Sequence, residues 1–272
     1  GPAKGVEYEH GMFDAQVNLL QDRFQIEAGE RDLPAFPLFA LFNAAMGVTT
    51  VFPDIDPTRP AHVDPRRIIA PIRKQQVTQS FGSPALWKRV GRYCLDNNLQ
   101  LPSLKRALAA GAPVPPPIIE SVRHALEESG GDLFTPYGAT EALPISVISG
   151  DEVLKDTAAS SRLGQGTCVG RLFSEVEATV IEITDDDIPT YDHCQPLSQG
   201  EIGEIIVRGP SVTRRYFQRP AATASAKIAD GDRFWHRMGD VGFFDESGRL
   251  WFCGRKTHRV ETRGGTLFSV PC

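Results

Sequence analysis

The segment Phe134-Thr135-Pro136-Tyr137-Gly138-Ala139-Thr140-Glu141 ends a strand-like run at a glycine turn, then presents a hydroxyl and a carboxylate. Ligands of open α/β sheets bind beyond the C-terminal ends of strands. Tyr137 offers a flat aromatic face for a base, Thr140 a hydroxyl for a phosphate oxygen, and Glu141 a hard oxygen for Mg²⁺. On these residues alone, a packed tyrosine and a solvated glutamate fit as well. Asp240, in Met238-Gly239-Asp240, can accept both hydroxyls of a ribose, and Arg255 is a fixed donor at the far end of a hairpin. The alternative there is an Asp–Arg pair of little energetic weight on a surface hairpin. Gly111-Ala112-Pro113 would let a planar ligand approach the backbone, although an ordinary helix stop explains it equally. Lys4, in Gly1-x-x-Lys4-Gly5, resembles the tail of a glycine-rich phosphate loop; the full Gly-x-x-x-x-Gly-Lys-Ser/Thr pattern is absent, and a terminal turn is the plainer reading. A base platform, a phosphate hydroxyl, a metal carboxylate, a ribose acceptor and a cation together describe a nucleotide site between an α/β lobe and a β lobe.

The elements that must position these groups follow from periodicity and punctuation. Residues 7–28 read as a helix with Phe13, Val17, Leu20 and Phe24 on one side, stopped by Gly29. Residues 31–39, 49–52, 77–81 and 133–137 read as strands, and 41–46 as a helix. Asp64-Pro65 and Ser83-Pro84 read as helix starts, with Pro71 interrupting or kinking the first helix. Ser103 reads as the cap of a short helix ended by Gly111, and Pro115 to Pro117 open another carrying Ile118, Val122 and Leu126. Strands separated by helices imply a parallel sheet with helices on its faces. Beyond about residue 155 strand alternation dominates, over 176–183 and 201–208, and 241–244 and 249–253 flank the turn Asp245-Glu246-Ser247-Gly248. The expected fold class is therefore α/β: a parallel-sheet subdomain followed by a small antiparallel, barrel-like one.

Composition limits the function classes. The 272 residues carry a net charge of −5, against a dedicated nucleic-acid binder. No run approaches the roughly 20 apolar residues of a membrane span, and no signal-peptide core follows the first lysine. Five scattered cysteines (Cys94, Cys168, Cys194, Cys253 and Cys272) form no Cys-x-x-Cys pair, so a reducing cytoplasm is the expected setting. The chain lacks an initiator Met and ends on Gly-Gly-Thr-Leu-Phe-Ser-Val-Pro-Cys, so it reads as a fragment of a longer protein.

The order and spacing of these pieces resemble the adenylate-forming superfamily of acyl-CoA synthetases, luciferases and peptide-synthetase adenylation domains. Gly1 to Gly5, Phe36-Pro37-Leu38-Phe39, Gly111-Ala112-Pro113, Tyr137-Gly138-Ala139-Thr140-Glu141, Gly200-Glu201-Ile202-Gly203-Glu204 with Tyr216-Phe217, and Arg237-Met238-Gly239-Asp240 with Gly254-Arg255 fall where that superfamily has its motifs. The resemblance implies ATP and Mg²⁺ as cofactors. It implies that Gly111, Ala112, Pro113, Tyr137 and Gly138 bind adenine, Thr140 meets phosphate, Glu141 holds Mg²⁺, Lys4 ends the phosphate loop, and Asp240, Arg255 and Phe252 hold the nucleoside. It implies three pieces: 1–35 as the tail of a first α/β subdomain, 36–160 as a second, and 161–272 as a β-rich subdomain, without the C-terminal lid. A fragment lacking the lid is expected not to adenylate alone. Phe39 stands where a His is common. Thr257 stands at the hinge Asp or Lys, and Glu261 at a later lysine, departures that argue against the usual CoA half-reaction. Gly254-Arg255-Lys256-Thr257-His258-Arg259-Val260-Glu261-Thr262 looks like the olefin-biosynthesis branch, the OleC-type β-lactone synthetases. That branch implies a long-chain β-hydroxy carboxylate substrate, closure of its adenylate to a β-lactone, and thiolase-like and dehydrogenase partners. The competing readings are a long-chain fatty acyl-CoA ligase and a non-catalytic nucleotide-binding protein.

Overall fold

The computed structural model describes residues 3–271. The chain forms two compact units, one of Gly1–Leu19, Tyr137–Val147 and Ala159–Cys272, the other of Leu20–Pro136 and Ile148–Ala158.

The second of these is α/β. Its strands β1 (Arg31–Pro34), β2 (Thr49–Thr50), β3 (Gln79–Gly82), β4 (Arg106–Ala109) and the start of β5 (Asp132–Ala139) lie in the order β2-β1-β3-β4-β5, all parallel. Of helix α1 (His10–Phe24) only the part from Leu20 belongs to this unit, and α2 (Arg66–Gln75), α3 (Pro84–Asp96) and α4 (Pro116–Ala125) connect its strands. The starts of α2, α3 and α4 are where the sequence puts them, whereas α1 begins at His10 and ends at Phe24, inside the helix expected over 7–28. Ser83 Oγ accepts from the Leu86 amide, and Asp64 Oδ1 accepts from the Arg66 amide. Pro71 sits inside α2, which runs on through it. Ile68, Ile72, Trp87, Val90, Ile119 and Val122 pack into one core with Leu33, Ala107 and Leu133 of the sheet. The buried Trp87 indole donates to the Leu108 carbonyl at 2.9 Å, so the ring is buried without an orphaned donor.

Three readings of this half are corrected. Residues 106–109 are not a helix but the central strand β4, buried along its whole length. Leu104, Lys105, Arg106, Ala107 and Ala109 favour helix as isolated residues, but pairing with β3 on one side and β5 on the other overrides that preference. The strand expected over 31–39 ends at Pro34, and Pro37–Phe42 is a 3₁₀ helix in place of a helix over 41–46.

The other unit is antiparallel. Strand β6 (Ala142–Ser149) pairs with β7 (Thr167–Leu172). Strands β8 (Glu177–Ile181), β9 (Gly203–Arg208), β10 (Lys227–Asp230), β11 (Arg233–Phe244) and β12 (Leu250–Arg255) follow, and β11 pairs with β9, β10 and β12 while β12 also pairs with β7. The β11–β12 hairpin turns at Asp245 to Gly248, as expected, and Asp245 Oδ1 accepts from the Ser247 and Arg249 amides. Trp235 closes a small core with Ile181, Ile188, Ile206 and Ile228. A short pair, β13 (Val260–Thr262) and β14 (Gly265–Leu267), ends the described chain. Among the described residues no helix is long and apolar enough to cross a membrane. Cys94, Cys168, Cys194 and Cys253 are free thiols, and Cys272 lies outside the described residues.

Candidate functional site

Thr140 and Glu141 form the two-residue turn between β5 and β6. Gly138 is required there by close approach: a Cβ would lie 2.8 Å from the Ala142 carbonyl oxygen and 2.9 Å from Leu143 Cβ. The turn is tied down from both sides. The Tyr8 hydroxyl donates to the Thr140 carbonyl at 2.5 Å, and Gln16 Nε2 donates to the Leu143 carbonyl at 3.0 Å. The Thr213 amide and hydroxyl both donate to the Glu141 carbonyl, at 2.9 and 3.0 Å. Its carboxylate Oε1 accepts from the Tyr216 hydroxyl at 2.6 Å.

Asp240 and Arg255 are register partners across the β11–β12 hairpin. The surface-pair reading does not describe them well: Asp240 is only 4% exposed, whereas the Arg255 side chain is half exposed. Asp240 Oδ2 accepts from the Tyr137 hydroxyl at 2.6 Å. Its Oδ1 lies 2.9 Å from Arg255 Nη1 as an ion pair but has no partner in hydrogen-bond geometry. Burial raises the Asp240 carboxyl above its usual range, against the Tyr137 and Arg255 contacts that hold it down. The Tyr137 phenol is pushed well up by burial and by the neighbouring Asp240 charge. Phe252 lies beside Tyr137, ring centroids 6.1 Å apart.

Of these groups, Glu141 and Arg255 line a cleft of about 820 Å³, together with Lys4, Tyr216, His236, Gly239 and His258 among others. Lys4 Nζ sits 4.1 Å over the Tyr216 ring. Glu204, fully buried at the cleft floor, is paired by Arg237 at 2.7 Å and Lys256 at 3.1 Å, so its charge is compensated within the protein. His236 is held neutral: burial, the Lys227 charge nearby and Lys4 depress it to about 3. Lys227, half-buried and donating to the Thr213 carbonyl, is brought down to about 7 by desolvation, against the pull of Glu141.

Of the site residues expected from sequence, Lys4, Tyr137, Gly138, Thr140, Glu141, Asp240, Phe252 and Arg255 all belong to the antiparallel unit. Gly111, Ala112 and Pro113 belong to the α/β unit, in the loop after β4 instead of after a helix. Gly1 lies outside the described residues. Thr257 lines the cleft, and Glu261 is engaged by Arg259 at 3.1 Å and by the Thr266 hydroxyl at 2.8 Å. Sequence reasoning did not single out Tyr8, Thr213, Tyr216 or Lys227. All four act through contacts distant in the chain, and only Tyr216 lay inside a quoted motif.

The model of the AMP-binding enzyme family matches residues 1–217. The chain belongs to that family. Within the AMP-binding enzymes it is 49% identical to an olefin beta-lactone synthetase of Stenotrophomonas maltophilia, over 99% of this chain and 49% of that protein. The corresponding protein of Xanthomonas campestris is 48% identical, with 99% and 48% covered. More distant is a feruloyl-CoA synthase of Amycolatopsis, 28% identical over 98% of this chain and 50% of that protein. The amide bond synthetase McbA of Marinactinospora thermotolerans has a similar structure, with a TM-score of 0.76 at 26% identity, covering 99% of this chain and 50% of that one. The chain thus spans about half the length of the curated relatives it matches. The cleft suits an AMP-binding enzyme. Asp240 Oδ1 is a buried acceptor whose neighbour, the Arg255 guanidinium 2.9 Å away, lies outside hydrogen-bond geometry, which leaves it open to a ribose hydroxyl, and Arg255 is one of the cations that line the cleft. For a divalent ion the donor set is a single carboxylate, Glu141, which matches how Mg²⁺ is held when phosphates and water supply its other ligands.

Proposed function

We propose that the protein carrying this chain activates a long-chain β-hydroxy carboxylic acid with ATP and closes the acyl adenylate to a β-lactone. The observation that carries this reading is the identity of about half the residues, over 99% of the chain, with two olefin beta-lactone synthetases. The contacts of Asp240 with Tyr137 and with Arg255, and the cleft that Arg255 lines together with Glu141, support it.

In the first step a carboxylate oxygen of the acid attacks the α-phosphorus and pyrophosphate leaves. The acid is ionised at neutral pH, so no base is needed. Tyr137 and Phe252 present flat faces to the adenine, and Gly111, Ala112 and Pro113 are assigned to the adenine side by sequence resemblance alone. Asp240 accepts from the ribose hydroxyls and Arg255 donates beside it. Thr140 and Lys4 face the phosphates. Glu141 would hold Mg²⁺, which when bound neutralises charge developing on the phosphate oxygens. In the second step the substrate's own β-hydroxyl oxygen attacks the acyl carbon, loses its proton, and expels AMP. The division proposed with this reading is 1–35, 36–160 and 161–272, and the pathway partners proposed are thiolase-like and dehydrogenase enzymes.

A second reading, acyl-CoA ligase, is favoured by relatives such as the feruloyl-CoA synthase. One experiment separates them: Mg·ATP and a long-chain β-hydroxy acid, with and without CoA, products identified by NMR and mass spectrometry. AMP and a β-lactone formed without CoA are the expected outcome. A CoA thioester instead returns the protein to the ligases, and nucleotide binding without turnover makes it a non-catalytic binder.

A further inference from the structure

We propose that Tyr216 is a positioning residue that sets Glu141 and Lys4 relative to each other through the two faces of its chemistry, its hydroxyl and its ring. This rests on the nucleotide reading of the cleft.

The hydroxyl donates to Glu141 Oε1 at 2.6 Å. One carboxylate oxygen is thereby committed, and the other is the oxygen that can be offered to a cation, so the hydrogen bond selects one-oxygen ligation and fixes the carboxylate plane. Partners of this kind orient metal-binding side chains and tune their affinity. The ring carries the Lys4 ammonium 4.1 Å from its centroid. Lys4 is brought there by backbone pairing: the Phe217 amide donates to the Gly5 carbonyl at 2.9 Å, the Glu7 amide to the Arg215 carbonyl at 3.2 Å, and Val6 bridges Tyr216. The Tyr216 backbone is fixed in turn, its amide donating to Thr223 Oγ1 at 3.0 Å. The phenol is 5% exposed, so it has little freedom to swing away. One side chain thus holds a carboxylate and an ammonium on the wall of the same cleft. A residue needed only for packing would use its ring alone; the hydroxyl bond to a carboxylate on a turn, far away in sequence, is what packing does not require.

The two arms separate by substitution. Tyr216→Phe keeps the ring and removes the hydroxyl; Tyr216→Leu removes both; Lys4→Met removes the ammonium from a residue that is itself exposed. ATP binding is measured by calorimetry on the protein carrying this chain, in EDTA and across a Mg²⁺ series, with thermal unfolding alongside. Tyr216→Phe is expected to leave binding in EDTA unchanged and to raise the half-saturating Mg²⁺ concentration about tenfold, the low end for loss of an orienting partner. Tyr216→Leu and Lys4→Met are expected to weaken binding in EDTA by about threefold, as loss of an exposed cation–π contact predicts. In a Glu141→Gln background, Tyr216→Phe should add no further Mg²⁺ effect. Wild-type protein that binds no ATP overturns the nucleotide reading itself. Wild-type binding with Mg²⁺ dependence that Tyr216→Phe leaves unmoved overturns this inference alone. So does an equal loss in EDTA and in Mg²⁺, or a Tyr216→Phe effect that persists in Glu141→Gln. If Tyr216→Phe fails to fold, the Lys4→Met comparison still decides the ring arm.

Discussion

Asp240 is a costly residue for a folded chain. It is buried, its carboxyl is pushed up by that burial, and one oxygen has beside it only a half-exposed guanidinium outside hydrogen-bond geometry. Stability alone would remove it, so binding and stability should move apart on substitution. Asp240→Asn is expected to weaken AMP binding by about tenfold or more, the worth of a charged hydrogen-bond acceptor, while leaving the melting temperature unchanged or higher. Calorimetry and thermal unfolding on one preparation check this; parallel losses in both would make Asp240 a structural residue. Asp32 shows the same physics without a functional partner. It is 3% exposed on β1, accepts from Asn43 Nδ2 at 2.8 Å, and its Oδ1 has no donor; neither does Gln79 Oε1. Burial raises its carboxyl to about 7, against Asn43, Gln79 and the Arg106 charge, and Arg106 is itself paired with Glu30. A raised carboxyl adds stability below the unfolded value near 4, and that stability is lost as pH rises through 7. Asp32→Asn keeps the neutral shape at every pH and supplies an N–H donor. It should therefore match wild type in urea at pH 4 and exceed it at pH 8 by on the order of 3 kcal/mol. A wild-type curve flat between pH 4 and 8 would count against it.

Elements read well from sequence where local chemistry decided them and poorly where tertiary pairing did. The starts of α2 and α3 were legible because Asp64 and Ser83 cap the first turns with their own side chains. The β11–β12 hairpin was legible because its turn chemistry lies within Asp245 to Gly248. Strand β4 was illegible, since nothing in its own residues signals that both neighbours are strands. Much of the site was legible because Tyr137, Glu141, Asp240 and Arg255 sit at turns and hairpin ends. Thr213, Tyr216 and Lys227 were not, because their roles exist only once distant segments meet at Glu141. The strand that carries Asp240 also contains an irregularity between Val241 and Gly242. A Cβ at Gly242 would lie 2.0 Å from the Trp251 carbonyl oxygen. That contact is with backbone, so it is relieved only by parting β11 from β12. Gly242→Ala should cost about 1–3 kcal/mol in urea unfolding and also weaken AMP binding, because Asp240 and Arg255 are aligned by the same pairing. An unchanged urea midpoint would show that the two strands are not held together at this point.

The molecule as a whole repels the ligand proposed for it. The chain carries −5 at neutral pH, and a nucleotide is an anion. The cleft reverses that sign locally. Among the described residues its walls carry the cations Lys4, Arg237, Arg255 and Lys256 against the carboxylates Glu141 and Glu204, and Glu204 is already spent on Arg237 and Lys256. Low-dielectric walls with a net excess of one sign concentrate a field that steers an oppositely charged ligand. The cations most open to water, Lys4 and Arg255, are those that salt screens best. Screening length shrinks from roughly 10 Å at 0.1 M to about 3 Å at 1 M. AMP affinity should therefore fall several-fold between low and high salt, and ATP, with more negative charge, should fall more steeply. Lys4→Met should flatten the ATP slope more than the AMP slope, since Lys4 is assigned to the phosphates beyond the nucleoside. Calorimetric titrations of both nucleotides across a KCl series provide the measurement. Equal slopes for AMP and ATP, unaffected by Lys4→Met, would place the outer phosphates away from this wall of the cleft.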